Sequence, residues 1–174
     1  VLALFTSYQR LNDVTDKMKR SLTGVSVLRQ KPKQSNEQLL ELFKQNVNPT
    51  VICGVDACWE GIDISGDHLR CLVITKLPFP VPSDPIHQAR SEFIDKQGGS
   101  GFKEYYLPLA LLKFKQGLGR LIRGHSDKGV IMILDDRVYK KPYGKLFQKE
   151  LEKYGQMQDE FETLLDQCRA WYDG

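Results

Sequence analysis

The chain has 174 residues, of which 41% are apolar and 27% charged, with a net charge of +3 and a pI near 8.6. That length suits one compact domain that buries about 70% of the surface its unfolded form exposes. No apolar run approaches the ~20 residues of a membrane span and no signal-peptide pattern is present, while the mild basicity permits nucleic-acid binding without demanding it.

In chain order, residues 1–6 read as a strand and Ser7 as the N-cap of a helix over 8–21. Residues 25–28 form a second strand, and the polar stretch 29–35, with Pro32, a loop. Asn36 is expected to cap a helix through residue 46, with Leu39, Leu40, Leu42 and Phe43 as its apolar stripe. Residues 50–54 follow as a short, β-branched, buried strand ended by glycine, then a turn, then a strand over 70–76.

Four prolines exclude regular structure between residues 77 and 85, and a helix over 85–96 comes next. The stretch Gln97-Gly98-Gly99-Ser100-Gly101 is expected to be the most flexible in the chain, a disordered loop. A helix over 107–123 offers Leu109, Leu111, Leu112 and Phe114 for packing. A last central strand over 130–134, a helix over 143–154 and a further helix over 158–172 complete the pattern. Strands alternating with helices predict an α/β fold, a mainly parallel sheet with helices on both faces. There is no internal repeat.

Two segments carry chemistry. Gln116, Arg120 and Arg123 stand at i, i+4 and i+7, which on a helix puts their polar ends on one face. Two guanidiniums so held suit a polyphosphate, since each offers planar, permanently charged donors. Spacing alone leaves a solvated basic helix face as an equal reading. Upstream, Trp59-Glu60-Gly61-Ile62-Asp63 brings two carboxylates and a glycine to the carboxyl end of the strand over 50–54, the edge where open α/β sheets bind ligands.

These segments carry a family resemblance. Gln116-Gly117-Leu118-Gly119-Arg120-Leu121-Ile122-Arg123 resembles motif VI of superfamily 2 helicases. Trp59 to Asp63, with Gly66-Asp67-His68-Leu69, resembles motif V of the DinG and XPD type, as does the proline-rich run from Lys76 to Pro85. Leu2-Ala3-Leu4-Phe5-Thr6-Ser7-Tyr8 resembles motif IV, and the order of the three fits. The resemblance spans nearly all of residues 1–155, leaving 156–174 as a C-terminal helical extension.

The resemblance implies a RecA-like, P-loop-NTPase-type three-layer sandwich: the second motor domain of an ATP-dependent, 5′-to-3′ DNA helicase. It implies that Arg120 and Arg123 act as arginine fingers on ATP and Mg²⁺ bound mainly by an N-terminal motor domain of the same protein, with Gln116 positioning water or phosphate. Asp63, Glu60, Gly61 and Gly119 fall on the nucleotide side; Thr6, Ser7, Gln9, Arg10 and Trp59 on single-stranded DNA. An iron–sulfur cluster, where relatives have one, belongs to the first motor domain and not to this segment. Two other readings stay open: the helicase-like part of a 3′–5′ exonuclease fusion that does not unwind DNA, and a degenerate nucleic-acid-binding scaffold.

Several features have plainer readings. Ile131-Met132-Ile133-Leu134-Asp135-Asp136 imitates a Walker B strand, yet no G-x-x-x-x-G-K-[ST] occurs anywhere in the sequence. Asp135-Asp136-Arg137 is therefore expected to be an ion pair or turn cap. Gly117-x-Gly119 follows a helical pattern, so it reads as close helix packing or close approach to a nucleotide. Thr6 and Ser7 serve either as an ordinary cap or as a phosphate contact at a helix N-terminus. Tyr8, Phe79 and Trp59 suit base stacking or the core. The three histidines share no metal-like spacing, and no metal site is expected. Four cysteines without zinc spacing point to a reducing cytoplasm. A chain that opens inside a strand-like segment is expected to be a piece of a longer protein.

Overall fold

The computed structural model describes residues 1–61, 64, 69–122, 127–155 and 161–173, the side chains of Glu60, Phe161 and Asp173 excepted. They divide into two compact units, Val1–Arg137 and Val138–Gly174. The boundary expected at 155/156 adjoins residues 156–160, outside the described ones.

The first unit is built on five parallel strands in the order β2-β3-β1-β4-β5: β1 (Leu2–Leu4), β2 (Ser26–Arg29), β3 (Thr50–Gly54), β4 (Cys71–Ile74) and β5 (Val130–Ile133). The expected α/β fold with a parallel, helix-covered sheet is what forms. Burial follows position in the sheet. Central β1 is wholly buried and β3 nearly so, as continuous apolar runs covered on both faces should be. Edge strand β5 is only half-buried.

Alternate residues of each strand serve opposite layers. Ala3, Phe5, Val27, Val51, Cys53 and Val55 cluster with Leu11, and with Tyr8, Val14 and Met18 of α1 (Tyr8–Ser21). Leu4 instead faces the side where Gly117 of α5 (Leu107–Leu118) meets Trp59 of α3 (Asp56–Glu60). Between these, α2 spans Asn36–Lys44 and α4 Pro85–Lys96.

The strand order creates a crevice. The connection from β1 runs outward over β3 to β2, while the connection from β3 runs the other way over β1 to β4. Adjacent strands whose chains leave in opposite directions form the switch point at which such sheets bind ligands. The carboxyl ends of β1 and β3 therefore meet at Phe5–Ser7 and Val55–Gly61, the segments that resemble motifs IV and V.

The structure corrects several expectations. The helix expected over 107–123 is a π-helical turn, Phe102–Tyr106, running into α5, which ends at Leu118. Past it the chain tightens, with Arg120 N–H donating to Gly117 O and Leu121 N–H to Leu118 O. Its buried stripe is Leu107, Ala110, Phe114 and Leu118, whereas Leu112 is exposed. Residues 97–101 form an ordered turn: Gly98 takes φ +83°, Gly101 N–H donates to Asp95 Oδ1 at 2.8 Å, and Ser100 N–H to Glu104 Oε1 at 2.8 Å. The N-cap of α2 is Ser35, in a reciprocal capping box with Gln38, and Asn36 is the first helical residue. In that helix only Leu39 is buried. The motif V turn contains a helix, α3, that the sequence reading does not expect.

The second unit holds α6 (Arg137–Lys140), which begins at the boundary, α7 (Gly144–Leu151) and α8 (Phe161–Asp173). Phe147 and Val138 are buried, and Gln148 Nε2 donates to Val138 O at 2.6 Å. None of the described helices is long and apolar enough to cross a membrane.

Candidate nucleotide and nucleic-acid interface

Ser7 caps α1 as expected, its Oγ accepting from Arg10 N–H at 3.4 Å. Thr6 is half-buried, and Ser7, Gln9 and Arg10 are exposed, so two hydroxyl residues just before α1 and a cation in its first turn lie at the switch point. Free N–H groups and positive charge there favour an anion.

Across the crevice, α3 has too few residues to be stable by its own hydrogen bonds. Tertiary contacts hold it. Trp59 is 0% exposed, and its indole Nε1 donates to Phe5 O at 2.9 Å, tying motif V to the end of β1. A buried tryptophan with its N–H paired removes roughly 150–250 Å² from water. It therefore offers no ring face to a base: the expected DNA contact at Trp59 is replaced by a core anchor.

Two side chains from outside the motif hold the same turn. Buried Gln30, directly after β2, accepts the Val55 N–H at Oε1 (2.8 Å), and Asn36 Nδ2 donates to Ala57 O at 2.8 Å. Sequence reasoning missed both. A one-dimensional pattern does not say that β2 neighbours β3, and only that adjacency brings Gln30 to the turn.

Motif VI arrives from α5. A Cβ on Gly117 would lie 2.9 Å from two Trp59 ring atoms, so this glycine admits close helix packing, as its sequence context suggests. Lys113 Nζ pairs with Asp56 Oδ1 at 2.7 Å on the surface. Just beyond the helix, Arg120 Nε donates to Trp59 O at 3.2 Å. Arg120, so tied to the motif V turn, and Gln116 are both partly exposed, and Gly119 is exposed. Gly61 is exposed at the C-cap of α3, its N–H bonded to Ala57 O. Asp63 and Arg123 lie outside the described residues, as does the side chain of Glu60. Because α5 ends at Leu118, the helix expected to carry Arg120 stops short of it.

At the neighbouring strand ends, Asp135 accepts Leu77 N–H at 2.8 Å and Arg137 N–H at 3.1 Å, and its carboxylate also pairs with the Arg137 guanidinium. Burial alone would push the Asp135 carboxyl up. The Arg137 side chain, with the two backbone N–H groups, outweighs this and holds it below the usual carboxylate range. Asp135 is the ion pair and turn cap expected of it. The Arg137 guanidinium carbon lies 5.4 Å from the Phe79 ring centroid, and Phe79 stacks on Phe102 at 5.8 Å. The proline-rich run after β4 is thereby fastened to the end of β5.

Two buried thiols, Cys53 and Cys58, are each pushed up to about 12 by burial and stay protonated. Among the described residues no group of three or more His, Cys, Asp or Glu could hold a metal ion.

Residues 1–154 match the family of helicase C-terminal domains. The chain belongs to that family. Among relatives, the 3′-5′ exonuclease DinG of Bacillus subtilis (strain 168) is 39% identical over 150 residues, 84% of this chain and 16% of that protein. The ATP-dependent DNA helicase YoaA of Escherichia coli (strain K12) is 39% identical over 148 residues, 85% of this chain and 23% of that protein. A solved XPD helicase structure superposes with a TM-score of 0.63 at 22% identity, over 90% of this chain and 28% of the other. That likeness supports the RecA-like fold. The chain thus spans about a sixth to a quarter of the length of these two curated relatives, and is a helicase C-terminal domain similar to theirs.

Proposed function

We propose that this domain is the second motor domain of an ATP-dependent DNA helicase. In this reading it closes over ATP held by an N-terminal motor domain and grips single-stranded DNA. Arg120 and Arg123 neutralise charge that builds on the γ-phosphate, and Gln116 orients the attacking water. Glu60, Gly61, Asp63 and Gly119 border the nucleotide, while Thr6, Ser7, Gln9 and Arg10 hold a DNA phosphate. ATP is the substrate; Mg²⁺ and the phosphate-binding loop belong to the partner domain, since this sequence has no Walker A pattern.

One observation carries the reading: Arg120 Nε donates to the Trp59 carbonyl, and the Trp59 indole Nε1 donates to Phe5 O, so all three motifs are linked at one switch point. A merely solvated basic face would have no such link. Arg120 remains partly exposed at the edge where a nucleotide would approach.

The test is ATP hydrolysis by a chain carrying both motor domains, with and without single-stranded DNA. Arg120→Ala should lower DNA-stimulated turnover by roughly 10³-fold or more, the usual value of an arginine finger, while DNA binding persists. Wild-type turnover from the mutant would refute the finger role. The isolated domain should not hydrolyse ATP, since half the site is elsewhere.

The name of the Bacillus subtilis relative, a 3′-5′ exonuclease, supports a second reading in which the motor accompanies a nuclease. Arg120→Ala would then leave nucleolysis intact.

A further inference from the structure

We infer that Gln30 and Asn36 are positioning residues that strap the motif V turn from the β2–α2 side and so set where its acidic end meets nucleotide and DNA. This rests on the motor reading above and goes beyond it, because neither residue belongs to any of the three motifs.

The strap starts from a defect in α3. Its N-cap is Val55, which has no side-chain oxygen to accept an orphan N–H, and no cap hydrogen bond from its own side chain is made. Gln30 supplies the acceptor from another strand. Its backbone N–H donates to Cys53 O at 2.9 Å, continuing the β2–β3 ladder by one residue. That fixes the side chain, which is 3% exposed and accepts at Oε1 from Val55 N–H (2.8 Å) and from Cys58 Sγ (3.4 Å).

Asn36 holds the other end. Its Nδ2 donates to Ala57 O at 2.8 Å, the same carbonyl that accepts Gly61 N–H at 2.9 Å and ends the helix. Cys58 Sγ lies 3.7 Å from Asn36 Oδ1, so one thiol stands between the two amides.

The flanking glycines leave room for these groups, Gly54 chiefly for Cys58 and Gly61 for Asn36. A Cβ on Gly54 would sit 2.0 Å from Cys58 Sγ and 3.2 Å from Gln30 Oε1; one on Gly61 would sit 2.6 Å from Asn36 Nδ2. Gly61 has φ −131°, open to any residue, so its lack of a side chain serves the approach of Asn36 and not the backbone. The turn that leads into Ile62 and Asp63 is therefore fitted around atoms delivered by residues 30 and 36.

Asn36→Asp separates positioning from folding. A carboxylate cannot donate to Ala57 O and is repelled by it. Yet residue 36 opens α2, and a helix N-terminus favours negative charge, so the fold should keep its melting midpoint. In a chain carrying both motor domains, this variant should lose DNA-stimulated turnover on the order of 10²-fold, as misplacement by an ångström can cause. The Gly61 amide should also exchange with deuterium faster than in wild type. Gly61→Ala, which displaces the Asn36 amide, should repeat the defect. Turnover and Gly61 exchange at wild-type levels in Asn36→Asp would overturn the inference. So would a loss of turnover matched by a fall in melting midpoint, since the role would then be structural. If wild type itself shows no DNA-stimulated turnover, the motor reading fails first and takes this inference with it.

Discussion

Helices α3 and α4 are opposites. The first has five residues, no side-chain cap and almost no length in which to make hydrogen bonds of its own, yet it carries Cys58 and Trp59, both 0% exposed. The second has twelve residues, Asp84 as its N-cap and Pro85 in its first turn, yet buries none of them; Ile86 is 66% exposed and Phe93 64%. One is held almost wholly by the rest of the domain; the other carries its own caps and adds a lighter tie, His87 Nδ1 to the Tyr105 hydroxyl at 2.8 Å. The difference teaches where information about a helix resides: local caps mark where α4 begins, while packing against Phe5, Gly117 and Gln30 makes α3 form.

The contrast breaks most sharply at Trp59. Trp59→Ala should cost about 3–5 kcal/mol, the range for emptying a large aromatic site, and orphan the acceptor at Phe5 O. For a domain of this size that lowers the thermal midpoint by on the order of 10 °C. Calorimetry on the isolated domain reads it directly. A drop below about 1 kcal/mol would mean that α3 is not part of the cooperative core.

Gly117→Ala probes the same contact from the opposite side and more gently. The new methyl would stand 2.9 Å from two Trp59 ring atoms and 3.4 Å from Leu4 Cδ1, and the ring is pinned by its bond to Phe5 O. Overpacking costs about 1–3 kcal/mol, and the better helix propensity of alanine returns up to about 1. A net loss of about 1–2 kcal/mol by urea unfolding is expected. Gly119→Ala meets only ordinary contacts at 3.5 Å and serves as the matched control. Equal effects at the two glycines would contradict tight packing at Gly117.

The same contrast explains what the sequence could reveal. The bounds of α4 are legible because proline and an aspartate cap are local signals, and the parallel sheet is legible from apolar strands alternating with helices. Motifs IV and V are readable as neighbours of strand ends, which the switch point then brings together. Trp59 misleads because an aromatic beside Glu60 and Gly61 looks like a contact surface; its burial depends on Gly117, 58 residues later. Gln30 and Asn36 are silent in sequence, since their partners follow from strand order. The end of α5 at Leu118 was hidden by a charge spacing that still looks helical through Arg123. Residues 97–101 look loose by composition, but carboxylates from Asp95 and Glu104 bind their N–H groups.

The smallest effect belongs to α4. Asp84 Oδ1 accepts from Ile86 N–H at 2.9 Å and His87 N–H at 3.2 Å, so Asp84→Ala removes both bonds at a cost of about 1 kcal/mol. Because α4 buries nothing fully, that cost should appear as local opening, with first-turn amides exchanging roughly fivefold faster by hydrogen exchange. The global midpoint should hardly move. A fall in midpoint approaching that of Trp59→Ala would place α4 inside the cooperative core and dissolve the distinction between a helix held by its neighbours and one marked by its own caps.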